Sequence, residues 1–129
     1  MVMRLLDDGA TRGGHRHLED TMDVVIDWEE IPWDEPEDEA WPGYREKSCT
    51  CGDRKLWLCE FSEGYARGWC EEGHLAHVLA GESTLRIRDL QRSVRLRAGD
   101  TAIIPAGEAH RMEPGAGESI QILLFEQVC

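Results

Sequence analysis

No stretch of this 129-residue chain approaches membrane-spanning length in apolar residues. The first residues, Met1-Val-Met-Arg-Leu-Leu-Asp-Asp, lack the apolar core and small-residue cleavage site of a secretory signal. A cytoplasmic protein is therefore expected. Positive charge is scarce: 14 lysines and arginines stand against 26 acidic residues, for a net charge of -12. Nucleic acids and anionic membranes are bound mainly through basic residues, so neither is an expected partner. The five cysteines, Cys49, Cys51, Cys59, Cys70 and Cys129, are odd in number and carry no export signal, which argues against a disulfide framework. Cys49-Thr-Cys51 is too short for the usual zinc-knuckle spacing and has no second pair. Alternation along a strand puts both of its thiols on one face, where they read as ordinary thiols. Helical periodicity and internal repeats are missing as well.

What the chain does have is punctuation. At this length it forms one domain with a single core. Residues 1–22 read as a flexible tail, broken by Gly9, Gly13 and Gly14, with His15 and His17 able to capture metal only incidentally. Residues 23–54 read as an N-terminal strand, Val24-Val25-Ile26, followed by an irregular acidic arm rich in Trp and Pro. Trp33 and Trp41 are expected to anchor that arm, because tryptophan surface needs an apolar partner. Residues 55–129 carry the main domain. Short strands are predicted at 54–61, 65–70, 74–80, 83–89, 92–97, 101–104, 108–113 and 118–127, separated by Gly, Pro, Asp and Ser turn signals. Closely spaced strands of this kind build a sandwich or barrel. Leu85, Ile87, Val94 and Leu96 alternate with Arg86, Arg88, Arg95 and Arg97, giving a hairpin with one apolar and one arginine face. The arginines read as a solvated surface or as a dock for the acidic residues 27–39.

One segment is more specific. Gly99-Asp-Thr-Ala-Ile-Ile-Pro105-Ala-Gly107-Glu-Ala-His110 ends a strand at a Pro-x-Gly corner and re-enters a strand at a histidine. It resembles the second motif of the cupin superfamily, Gly-x5-Pro-x-Gly-x2-His, at every fixed position up to the histidine. The family's trailing asparagine is replaced by Pro114. Upstream, His77-Val-Leu-Ala-Gly81 is similar to the strand that closes the first cupin motif. Counting back from Gly81, the family's metal-binding glutamate falls on His74, its second histidine on Cys70 and its first on Gly68.

The resemblance implies an all-β fold, an antiparallel jelly-roll β-barrel with an irregular N-terminal arm, of the small single-domain RmlC-like type. It implies a metal site at Cys70, His74 and His110, holding one divalent ion per chain. A thiolate and two imidazoles with an open fourth position favour zinc, with iron, nickel or copper as the other candidates. Glu71 and Glu72 are reserve ligands. His77 lies three residues from His74, so strand alternation turns it to the opposite face. Strand parity adds Leu58, Tyr65, Arg67, Ile104 and Met112 as pocket residues. The expected function is metal-assisted action on, or binding of, a small organic molecule in the barrel mouth. The alternative is a non-catalytic, metal-free binding or sensing cupin, and the length leaves no room for an appended DNA-binding domain. A homodimer is expected, with residues 24–44 in the contact.

Overall fold

The turn signals deliver eight strands among the residues that the structure, a computed structural model, describes: 14–17, 25–34, 42–89 and 91–125. They are β1 (His15–His17), β2 (Tyr44–Cys51), β3 (Arg54–Ser62), β4 (His74–Ile87), β5 (Arg92–Arg97), β6 (Thr101–Ile104), β7 (His110–Glu113) and β8 (Ser119–Phe125). One sheet runs β1-β2-β3-β8-β4-β6, and a second runs β5-β4-β7, with β4 shared by both. Only β1 pairs in parallel, so the sheet is mixed where antiparallel pairing alone was expected. No helix among the described residues is long and apolar enough to cross a membrane.

The long β4 departs from the sequence reading, which placed a turn at Gly81. The chain passes straight through that glycine. Against β8, Val78 pairs with Ile122 but Ala80 pairs with Gln121, which leaves one extra residue, Leu79, in β4. Such a bulge reverses the parity of the strand. Before it, Ala76 and Val78 are buried while Leu79 is 41% exposed. After it, Ser83 and Leu85 are buried while Arg86 points outward. Both halves of β4 therefore turn an apolar face to the same core, built from Ala76, Val78, Leu85, Leu96, Ile104, Met112, Ile120 and Ile122. Gly81 sits at φ +78°, and a Cβ there would lie 2.0 Å from the Ser119 carbonyl oxygen.

Other corrections concern the flanks. Tyr44–Cys51, read as part of the arm, is a full strand paired along its length with β3. Residues 65–70 are not a strand; only Cys70 makes a bridge. His15–His17, read as tail, pairs with Ser48–Thr50. Val25 and Ile26 are in no strand, and Val24 lies outside the described residues. The described part of the acidic arm lies over the outer face of β2. Lys47, 6% exposed, donates to the carbonyls of Trp28 (2.6 Å) and Ile31 (2.9 Å). Burial, with help from Arg45, pulls the Lys47 ammonium below its ordinary range. Trp33 takes the Arg45 guanidinium and the Lys47 ammonium on its ring at 4.2 and 4.4 Å, the anchoring expected of it. Trp41 lies outside the described residues.

The arginine face does not hold the described stretch of that arm. Arg86 pairs with Glu113, Arg95 with Glu82 and Glu118, Arg97 with Glu82, and Arg88 with Glu71 and Asp89. Cys49 and Cys51 share the outer face of β2, but Cys49 is buried and Cys51 exposed.

The bulge makes a direct prediction. Gly81→Ala combines a strained positive φ with a clash against backbone, and each such strain costs about 1–3 kcal/mol. The substitution should lower the thermal midpoint by several degrees, whereas Ala80→Gly, beside it, should cost less. Thermal unfolding of the two variants checks this.

Candidate metal centre and cavity

The Pro105-Ala-Gly107 corner positions the centre. Gly107 N donates to the Glu71 carbonyl at 2.8 Å, tying the corner to the segment before β4. His110 then opens β7. Its backbone exchanges two hydrogen bonds with Cys70, each 2.9 Å. Directly opposed residues of that kind project side chains to the same side of a sheet. His74, the first residue of β4, pairs with Ile104 just before the corner. Three elements thus converge on one point. The ligand atoms of Cys70, His74 and His110 all lie within 4.8 Å of one another. Cys70 Sγ is 3.7 Å from His74 Nε2, and the two imidazoles stand edge to face at 5.2 Å between centroids.

The chemistry of the donors suits a cation. His110 is 5% exposed, and its Nδ1 lies 2.8 Å from the Glu108 carbonyl oxygen. A carbonyl only accepts, so Nδ1 carries the proton, and in the neutral ring the lone pair falls on Nε2. Orienting a ligand through its far nitrogen is the usual outer-shell arrangement of metal-bound histidine. His74 is half-buried, and burial followed by the neighbouring His110 lowers its pKa, which keeps the ring neutral and able to ligate. Cys70 completes a set of one sulfur and two nitrogens that leaves a position open. These residues fit a borderline-soft divalent metal.

The centre lies in the wall of a cavity of about 230 Å³. Ala76, Leu85, Leu96, Ala102, Ile104, Met112, Ile122 and Leu124 give it an apolar lining, with Arg67 and Arg111 as its cations. Arg111 is held by Glu113 at 2.8 Å and by the face of Trp69 at 4.2 Å. One wall is aromatic: Tyr44, Phe61 and Tyr65, with centroids 4.9–5.9 Å apart. Tyr44 Oη lies 2.6 Å from Glu46 Oε1 and 3.3 Å from Cys59 Sγ. Burial, then the charges of Cys59 and Glu46, raises the phenol far above its usual range, so Tyr44 stays neutral. Its one proton serves the carboxylate. Cys59, whose thiol burial pushes up to about 12, keeps its own proton for the second contact.

Of the residues expected at the site, Cys70, His74, His110, Tyr65, Arg67, Ile104 and Met112 all reach the cavity. Leu58 does not. It pairs with Lys47 and Leu123, and alternation along β3 turns it away from Cys59 and Phe61, so it is buried on the other face of the sheet. Glu71 and Glu72 are exposed outside the cluster. His77 faces away from the cavity, with Nδ1 2.8 Å from the Thr101 hydroxyl. The sequence reading missed Tyr44, Phe61 and Arg111. The alternation Tyr44, Glu46, Ser48, Thr50 was the available signal.

The sequence profile of the AraC-like ligand binding domain matches residues 60–127. No curated protein matches the chain. Among solved structures, the polyketide cyclase RemF from Streptomyces resistomycificus superposes with a TM-score of 0.70 at 21% identity, covering 81% of this chain and 78% of that one. Rru_A2000 from Rhodospirillum rubrum, a cupin-2 domain, gives 0.66 at 15% identity over 82% and 75%. KdgF from Halomonas sp. gives 0.63 at 20% identity over 80% and 92%. Fold and neighbours define the class as a small cupin. Within it, the chain belongs to the family of AraC-like ligand binding domains.

The hydrogen bond to Glu108 fixes a tautomer that can be read directly. Long-range proton–nitrogen correlation spectra of metal-free protein should show the His110 proton on Nδ1. A proton on Nε2 would remove the donor assigned to the metal.

Proposed function

We propose that the protein holds one divalent metal ion, zinc by preference, at Cys70, His74 and His110, and takes a small organic molecule into the cavity beside it. The observation that carries this reading is the convergence of one thiol and two imidazoles in the wall of an apolar cavity. Sulfur among the ligands favours zinc over the oxygen-seeking ions, with iron, nickel and copper next. A bound cation of this kind supplies Lewis-acid polarisation of a ligand oxygen. The chain's own residues select the rest. Tyr44, Phe61 and Tyr65 offer a flat apolar wall that suits an unsaturated or ring-bearing body. Arg67 and Arg111 favour an anionic or strongly polar substituent.

Whether the bound molecule is turned over separates two readings. Catalysis is favoured by an open position on the metal, and the fold neighbour RemF is a polyketide cyclase. Ligand binding without turnover is favoured by the family itself, whose description is a ligand binding domain. A homodimer accompanies either reading: Val25, 74% exposed in the 24–44 segment, is an apolar residue that a contact would cover. Light scattering at micromolar concentration should give twice the chain mass, and a monomer rejects the dimer.

Metal analysis tests the centre. Protein with Cys70→Ser should lose most of its zinc at this site and stay folded, because serine is nearly isosteric and a poor zinc ligand. His77→Ala should keep its zinc. Affinity should fall as pH drops, since protons compete for the thiolate and both imidazoles. Equal affinity at the Cys70 site in wild type and Cys70→Ser rules out the three-ligand centre.

A further inference from the structure

We propose that the protein has a second small-molecule site, at the side where its two sheets end. It takes a primary amine with an apolar body, whose ammonium group is bound by Glu108. Strand β6 ends one sheet and β5 ends the other, and each pairs with β4 alone. Among the described residues no ladder joins the two. A cavity of about 310 Å³ lies along this side. Small-molecule sites begin at about that size, in a range of about 300–1,000 Å³. Leu85, Leu96, Ala102 and Ile104 line this cavity and the first one too, so they form the partition between them. Ile87 and Val94, both half-buried, add further apolar surface.

Glu108 is the one acid in this lining. Its main chain is fixed on both sides. The N–H donates to the Pro105 carbonyl at 3.3 Å, and the carbonyl accepts from His110 Nδ1 at 2.8 Å. The corner that orients His110 therefore also sets this carboxyl at the second cavity. Glu108 Oε2 is buried and has no hydrogen-bond partner among the described residues. A buried acceptor without a donor is costly. The side chains around it are aliphatic and have no donor to give. Arg92, the one cation in the lining, is exposed and makes no ion pair among the described residues.

The missing donor is supplied by a ligand. An ammonium group brings three N–H donors and the opposite charge, and a charge-assisted hydrogen bond is stronger than a neutral one. Apolar walls strengthen that attraction by lowering the local dielectric. The net charge of -12 favours a cation over an anion in the approach. Arg92 opposes a second positive group, which favours a monoamine over a diamine.

Titration of the full chain with n-hexylamine at neutral pH, followed by backbone and methyl NMR, tests this. Binding should saturate, with shifts centred on Val94, Ile103 and Glu108 and not on Tyr44, Phe61 and Tyr65 of the first cavity. Hexan-1-ol keeps the apolar body and loses the charge, so it should bind about tenfold more weakly. Hexanoate should not bind at this site. Glu108→Gln keeps the shape of the side chain, so it should weaken hexylamine about tenfold and leave hexan-1-ol unchanged. Equal affinity of the wild type for hexylamine and hexan-1-ol overturns the proposal, whatever the variant does. So does equal binding of hexylamine by the wild type and Glu108→Gln, or a titration that moves only the first cavity.

Discussion

Strand β4 is the constraint on which the rest depends. It is hydrogen-bonded to β5, β6, β7 and β8 and so belongs to both sheets. A strand with uniform alternation could not serve both with the residues this sequence supplies. His74, Ala76 and Val78 must face the interior at one end, while Ser83, Leu85 and Ile87 must do so at the other. The parity differs by one residue, and the bulge at Leu79 absorbs it. Without that step the second half would turn Arg86 and Glu82 into the core and expose Leu85.

The same strand orders the candidate metal centre. His74 opens β4, and Ile87 near its other end pairs with His110. One continuous element therefore carries His74 and hydrogen-bonds to the strand that carries His110. Cys70 joins through two backbone hydrogen bonds to His110 rather than through a strand of its own. Cys70 thus sits on the least regular backbone of the three residues in the cluster. Its placement depends on the Pro105–Gly107 corner and the Glu71 carbonyl, and hence on the turn chemistry that made the motif recognisable.

That dependence explains what was legible. Turn residues act locally, so Pro105, Gly107 and His110 could be read in order, and with them Cys70, His74 and the outward turn of His77. Pairing partners are not local. Nothing within Tyr44–Cys51 says that it lies beside β3, and the neighbouring Trp, Pro and acidic residues made it look irregular. The error hid Tyr44 and the aromatic wall. Leu58 was misplaced for a related reason: apolar residues alternate poorly along β3 because its two faces are both covered. One carries Cys59 and Phe61 towards the cavity; the other carries Leu58 at 4% exposure on the side where the arm lies. A strand buried on both faces shows no period-two signal to read. Gly81 misled in the opposite way, because a glycine at positive φ is common to turns and bulges alike.

The inner face of β2 links the two ends of the molecule's polar interior. Tyr44 and Glu46 stand beside the cavity, and Ser48 and Thr50 continue the same face towards β1. At about 3.3 Å of rise per residue, Ser48 lies roughly 13 Å along the strand from Tyr44. Every polar group described along this row is hydrogen-bonded: phenol to carboxylate, then hydroxyls to imidazoles. Polar rows on a covered face are costly unless satisfied. The register of β2 is therefore held from both sides, by aromatic packing at Tyr44 and by the histidines at Thr50. A shift by one residue would put Lys47 and Cys49 on this face, taking Tyr44 from the aromatic wall and the Ser48 and Thr50 hydroxyls from the histidines. Ordering at β1 and shape at the aromatic wall are for that reason set by the same strand register.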